Sequence, residues 1–266
     1  MIMVRQMRVF LSFDIEEFDV PKEFDSSYNV DIDGMRISAF GTCRVLDILK
    51  TENIKATFFC TAKFAISNSD LIKRIHHEGH EVASHGCDHW TRSAQEIRES
   101  KKILEEIIES PVYGYRQPRM DKVDNHELVV NHYRYNASVN PTFIPGRYMN
   151  LFEKRKPYYK NDIWNIPSSV TPILRIPLFW LALHLFPLWL YQVFSIWTLN
   201  LDKVLSIYLH PWEFYPLDEL ENINVSKLIK LNSGDAMCSR LIDVIKMLKK
   251  HNCQFATYKQ YIEEDD

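Results

Sequence analysis

The sequence predicts an α/β protein built on a parallel sheet, either open or closed into a barrel. Two observations lead there. Short β-rich runs alternate with helical runs through residues 8–119, a rhythm that pairs strands in parallel through helical crossovers. Acids, histidines and an arginine also fall near the C-terminal ends of the predicted strands, where parallel barrels assemble their sites.

The elements follow in order. "RVFLSFDIEE" (8–17) is a β-rich run ending in acids, and "AFGTCRVLDILKTEN" (39–53) has helical apolar spacing. "IKATFFCTA" (54–62) reads as a buried strand, and "SDLIKRIHHEG" (69–79) as a helix opened by Ser69 or Asp70 and closed by Gly79. "HEVASHG" (80–86) is the next strand. Residues 93–110 form a helix with Ser93 and Glu96 in capping-box spacing. "PVYGYRQPR" (111–119) returns as a strand, 125–133 is helical, and 135–141 and 163–169 are strand-like. Between them lies a basic, Tyr-rich loop (147–162). "KVLSIYLHPWEF" (203–214) holds a strand ending at His210, 235–252 is an amphipathic helix, and 253–261 is a last strand and turn.

Composition narrows the function. With 46% hydrophobic and 25% charged residues a cored, soluble protein is the default expectation. A net charge of -3 gives no reason to expect nucleic acid. Neither GxGxxG nor GxxxxGK[ST] occurs among only 7 glycines, so no phosphate loop is expected. The 5 cysteines include no CxxC pair, which suggests reduced thiols and a cytoplasmic location. The N-terminal apolar run is too short for a signal peptide. One domain over 1–266 is expected.

"SHGCDHW" (84–90) places His85 and His89 four apart, but so are His76 and His80. Position separates the pairs: His76 falls inside a helix and His80 at a strand start, the opposite end from the other candidates. Asp14, Glu16, His85, His89 and Arg116 would converge on one rim. Two imidazoles and a carboxylate suit zinc or a similar divalent ion with a position open to water. Asp14 and Glu16 share a strand face, so one could ligate while the other takes a proton. Arg116 could hold that base ionised, and His210 could protonate a leaving amine. Cys87, between the histidines, is not needed as a ligand. Each residue alone also has an ordinary reading: a solvated acid, a structural histidine before proline, a surface ion pair.

The block "VLDILKTENIKATFFCTAKFAISNSDLIKRIHHEGHEVASHGCDH" (45–89) resembles the polysaccharide deacetylases of the NodB-homology type, with weaker matches over most of 8–260. The resemblance implies a distorted (β/α) barrel and hydrolysis of an N-acetyl group from an amino sugar. It implies that His85 and His89 bind a divalent metal, most simply zinc, and that Arg116 orients the base. His210 would be the general acid and Trp164 an aromatic wall, with Pro118 and Trp212 also touching substrate. "SFDIEE" departs from the two adjacent aspartates of many members. Asp14 is carried over as base and Glu16 as ligand, with an exchange of roles left open. "DIWNIP" departs too: if Asn165 replaces the acid that tunes the catalytic histidine, His210 should be less basic, although Asp162 is an alternative partner.

Residues 176–201 carry no Asp, Glu, Lys or Arg. A single membrane pass there would put Trp164 and His210 on opposite sides, so an apolar helical insertion around 173–201 is expected, either packed on the barrel or touching lipid. The basic run before it favours a peripheral contact through 147–201 and a lipid-linked N-acetylated sugar as substrate. Two alternatives remain. One is a metal-free amidohydrolase or deformylase-like enzyme on a small amide. The other is a non-catalytic glycan-binding relative, which would need neither Asp14 nor His210.

Overall fold

A computed structural model describes residues 6–24, 33–91, 93–145, 147–220 and 225–264. Loop 18–36, which with 141–162 is expected from the sequence to hold pocket specificity, lies in part (25–32) outside the described residues. The strands are β1 (Arg8–Ile15), β2 (Thr57–Cys60), β3 (Glu81–Ser84), β4 (Gly114–Tyr115), β5 (Tyr135–Asn136), β6 (Phe143–Ile144), β7 (Tyr148–Met149), β8 (Tyr158–Lys160), β9 (Ile163–Asn165), β10 (Val204–Leu209) and β11 (Gln254–Phe255). The main sheet runs β10-β1-β2-β3-β4-β5-β9-β8, with β11 also on β1. Its pairs are parallel except β8 with β9. After β9 the chain bridges the remaining gap: Ile166 N donates to Asn136 O, Ser168 N to Val139 O and Ser169 N to Ser206 O, each at 2.9 Å. The curled sheet is thus a distorted (β/α) barrel, the predicted architecture.

Alternation along β1 sets the phase of the site. Val9, Leu11, Phe13 and Ile15 pack in the large core with the helices. Phe10 faces the other way, into a second cluster with Phe59, Ala83, Tyr135 and Tyr258. Ser12 and Asp14 share the face of Phe10 because side chains alternate with period two. A one-residue slip would bury Asp14 among the helices, so the helix-side apolar residues fix its direction.

Around the sheet run α1 (Val20–Phe24), α2 (Gly34–Thr51), α3 (Ala62–Ser67), α4 (Ser69–His77), α5 (Ala94–Ile108), α6 (Asn125–Val130), α7 (Trp180–Leu185), α8 (Leu188–Asp202), α9 (Lys227–Lys230), α10 (Asp235–Lys250) and α11 (Tyr258–Glu264). The expected Ser93–Glu96 capping box opens α5, a device worth about 1 kcal/mol. α4 differs at its start: Asn68 is the N-cap, and its side chain makes no capping bond. In α2, a Cβ on Gly41 would fall 1.7 Å from Pro211 O, so only glycine lets the helix lie against the turn after β10.

Two expectations need correction. The strand expected over 111–119 shrinks to Gly114–Tyr115, because Pro118 lacks a donor and Arg119 and Met120 take φ of 61° and 53°. After β11 the chain forms α11 rather than a turn. The apolar stretch divides at Pro187 into α7 and α8. One face of α8, from Tyr191 through Ser195, Thr198 and Leu199, is buried, while Trp189, Val193 and Leu201 are exposed. Among the described residues no helix is long and apolar enough to cross a membrane.

Candidate active site

The C-terminal ends of β1, β3, β4 and β10 deliver Asp14, His85, Arg116 and His210 to one rim. A cleft of about 320 Å³ opens there, bordered by Asp14, Glu16, His85, His89 and His210. Its other walls are mainly apolar, from Met120, Ile144, Tyr148, Phe179, Trp180 and Trp212, with Arg119, Arg147 and Ser226 also lining it. The sequence-derived set therefore meets in space, apart from the substrate contacts treated below.

Arg116 is 1% exposed, so it is no surface ion pair. Its Nη1 donates to Asp14 Oδ1 (2.5 Å), and Nη2 to Ser12 Oγ (3.0 Å) and Tyr258 OH (3.1 Å). Nε donates to Ala137 O (3.3 Å), and the guanidinium stands 3.9 Å from the Phe59 ring centroid. This clamp occupies one oxygen of Asp14 and holds the carboxylate in place. The other oxygen, Oδ2, lies 4.0 Å from His85 Nε2.

Both metal-candidate histidines have their tautomers set from behind. His85 Nδ1 lies 2.8 Å from Arg116 O, which can only accept, so the nitrogen donates. His89 Nδ1 donates to Asp19 Oδ1 (3.0 Å), while Asp19 Oδ2 accepts from Trp90 Nε1 (2.6 Å). Both Nε2 atoms then turn lone pairs forward. Glu16 Oε2 sits between them, 3.4 Å from His85 Nε2 and 3.5 Å from His89 Nε2. It is buried with no hydrogen-bond partner. Burial alone would push Glu16 up, but when the histidines are protonated the field of His89, the contact with His85 and the field of His210 outweigh it and bring the carboxyl to about 2.

Among the described residues no group of three or more His, Cys, Asp or Glu forms a ready-made metal cage. The case for a cation therefore rests on donor chemistry. With both imidazoles neutral, three lone-pair donors converge, and two ligands each 2.0–2.1 Å from one zinc lie roughly 3.3 Å apart. The Glu16–histidine separations fit that spacing. The imidazole–carboxylate and imidazole–carbonyl bonds behind the pair are the support that ligating histidines usually have. Cys87 turns away and donates to Glu96 O.

His210 is held from the other side. Its Nδ1 donates to Glu213 Oε1 (3.0 Å), and its ring stacks on Trp212 at 5.1 Å and 18°. Trp180 meets it edge-on at 5.5 Å. Glu213 is fully buried, and its Oε2 accepts from His184 Nε2 (3.1 Å). His184 donates through Nδ1 to Leu231 O (2.5 Å). Burial works against charge on His210, but the bond to Glu213 and the nearby Glu16 and Asp14 raise its pKa above the ordinary value. His210 Nε2 faces the cleft, 4.0 Å from Glu16 Oε1.

This corrects the expected tuning partner. Asn165 bonds Asn125 instead and Asp162 is exposed. His210 keeps a charged neighbour, supplied three residues on by "HPWEF". The aromatic wall also moves. Trp164 lies on β9 against Tyr159 and Tyr261, away from the cleft, and Trp180 takes that place. Trp212 does line the cleft, whereas Pro118 is buried beside Gly86 and its neighbours Arg119 and Met120 reach the opening. Sequence reasoning missed Asp19, Glu213, His184 and Trp180. Only Glu213, beside His210 in the same motif, left a signal that could have been read.

Comparison with known proteins bears out the resemblance. The polysaccharide deacetylase family model matches residues 23–138, a span containing His85, His89 and Arg116. Peptidoglycan-N-acetylglucosamine deacetylase PgdA of Listeria monocytogenes is 47% identical over 55 residues, 21% of this chain and 12% of that enzyme. A provisionally named polysaccharide deacetylase of Mycobacterium smegmatis superposes with a TM-score of 0.68 at 17% identity, covering 98% of this chain and 90% of its own. PuuE allantoinase superposes at 0.65 with 16% identity, covering 97% and 89%. The two structural likenesses establish the fold; the side chains at the rim must argue the chemistry.

Proposed function

Starting from the polysaccharide deacetylase resemblance, we propose that this chain is a metal-dependent hydrolase that removes the N-acetyl group from an amino sugar. The sugar belongs to a glycan or a lipid-linked glycan precursor. One observation carries the reading: Asp14, held by a buried arginine, and His210, held by a buried carboxylate, face one cleft on either side of the His85–His89–Glu16 donors.

The roles follow from that placement. His85, His89 and Glu16 would hold a divalent cation, most simply zinc, which when bound acidifies water and polarises the acetyl carbonyl. Asp14 Oδ2, left free of Arg116, accepts the proton of the attacking water. Arg116 keeps that carboxylate oriented through the step. As the tetrahedral intermediate collapses, His210 Nε2 gives its proton to the sugar nitrogen, so the amine leaves neutral and acetate is the second product. A raised pKa suits that duty, since the group must arrive protonated. Trp180 and Trp212 offer apolar faces to the sugar ring.

The test is metal content by elemental analysis, with acetate release from N-acetylated oligosaccharides, in the wild type and in His85→Ala/His89→Ala. We expect about one metal per chain in the wild type, and loss of metal and activity together in the double variant. A metal-free protein that hydrolyses a small amide would replace this reading with the amidohydrolase one. A protein that binds the sugar equally well as Asp14→Asn and releases no acetate would replace it with a glycan-binding one.

A further inference from the structure

The β6–β7 hairpin sends its apolar side chains two ways. Ile144 and Tyr148 line the cleft, while Phe143 and Met149 stand 48% and 85% exposed. The chain beyond β7 adds Leu151 and a fully exposed Phe152, and a second loop presents Ile173 and Leu174 at 76% and 66%. The two loops are tied together. Thr142 Oγ1 donates to Arg175 O (2.8 Å), and Arg175 Nη1 donates to Glu153 O (3.1 Å). Six large apolar side chains on linked loops beside a cleft differ from scattered exposure, which needs no explanation.

Charge tells what would cover them. Residues 147–160 contain five basic residues and one acidic one, Glu153. Arg155 and Lys156 share Asp202, and positive charge still predominates. A second copy of the chain would bring two such basic segments face to face, which like-charge repulsion opposes. A surface of lipid phosphates would complement them, with the apolar tips entering the headgroup boundary. We infer that the loops carrying Phe143, Met149, Leu151, Phe152, Ile173 and Leu174 dock this protein on an anionic lipid bilayer. Docking turns the cleft mouth toward the membrane. The docking rests on these loops alone; its use, reaching a lipid-linked sugar, rests on the deacetylase reading.

The experiment is flotation with phosphatidylcholine vesicles, with and without phosphatidylglycerol, at low and high salt. The wild type is expected to float with the anionic vesicles at low salt and to stay behind with neutral ones. Leu151→Ser/Phe152→Ser should weaken the association about tenfold or more, from the apolar area withdrawn. Neither residue touches the cleft, so acetate release from a soluble N-acetylated oligosaccharide should be unchanged. A wild type that does not float, or a variant that floats equally well, would overturn the inference. So would light scattering showing a dimer that the variant abolishes, since the surface would then belong to a second copy. Flotation needs no turnover. A protein that floats yet deacetylates no sugar would sink the enzymatic reading and leave the docking surface standing.

Discussion

Replacing Glu213 by Gln tests the acid end of the proposed reaction most directly. In the wild type Glu213 accepts from His210 Nδ1, from the His210 backbone N–H and from His184 Nε2, and it is wholly buried. The amide removes the charge and turns an NH₂ group toward one of these donors. A hydrogen bond to a charged group contributes about 1.5–3 kcal/mol. If it serves the step in which His210 is the acid, kcat/KM should fall roughly 10- to 150-fold, at about 1.4 kcal/mol per decade. The pH profile carries a sign as well. His210 must be protonated to act, so activity is lost as pH rises through its pKa. Glu213 raises that pKa, so its loss should bring the alkaline fall to lower pH. Metal content should not change, because Glu213 does not touch the His85–His89–Glu16 set. The assay is acetate release across pH, with circular dichroism and elemental analysis as controls. A folded, metal-replete variant with kcat/KM within about twofold of wild type and an unmoved alkaline limb would refute the assignment of His210 as acid, or of Glu213 as its support.

Three further outcomes are expected. Trp180→Ala should raise KM, whereas Trp164→Phe should leave both kinetic constants near wild type; the reverse pattern would return the wall to Trp164. Gly41→Ala should destabilise the fold by about 1–3 kcal/mol in urea unfolding, because its methyl would meet the Pro211 backbone, and an unchanged midpoint would count against that close contact. His80 is buried, and burial and then Lys55 lower its pKa to about 4. The unfolded chain therefore binds the extra proton first, and this contribution to stability is lost as pH falls from the ordinary histidine range toward 4. His80→Phe should show a shallower decline over that window, and an identical decline would remove His80 as its cause.

Much of the architecture is legible in the sequence because it rests on local periodicity. The alternation in "RVFLSFD" states which β1 residues meet helices, and the Ser93–Glu96 pair states where α5 begins. The rim is legible for the same reason, since strand ends can be read one at a time. What fails is whatever depends on which strand neighbours which. Trp164 lies on a strand and Trp180 opens a helix, and only the placement of β9 between β5 and β8 turns the first away from the cleft. His184 lies in an apolar run that reads as core, and its bond to Glu213 crosses 29 residues of sequence. The apolar stretch itself resists reading, because a buried helix and a lipid-facing one share a composition. Here α8 is partly buried, and the most exposed apolar tips fall on the loops before it.

The His210–Glu213–His184 chain limits how freely the parts of this protein could be recombined. His210, the proposed general acid, is anchored through α7 and the carbonyl of Leu231, so its geometry depends on a segment that looks dispensable in sequence. Grafting the strand-end residues onto a related barrel would carry over Asp14, His85 and His89 but leave His210 without its foundation. A designer trimming residues 173–201 to improve expression would be removing part of the footing of His210. Within this barrel the His85–His89 pair is a transferable module, and His210 belongs to the insertion that holds it.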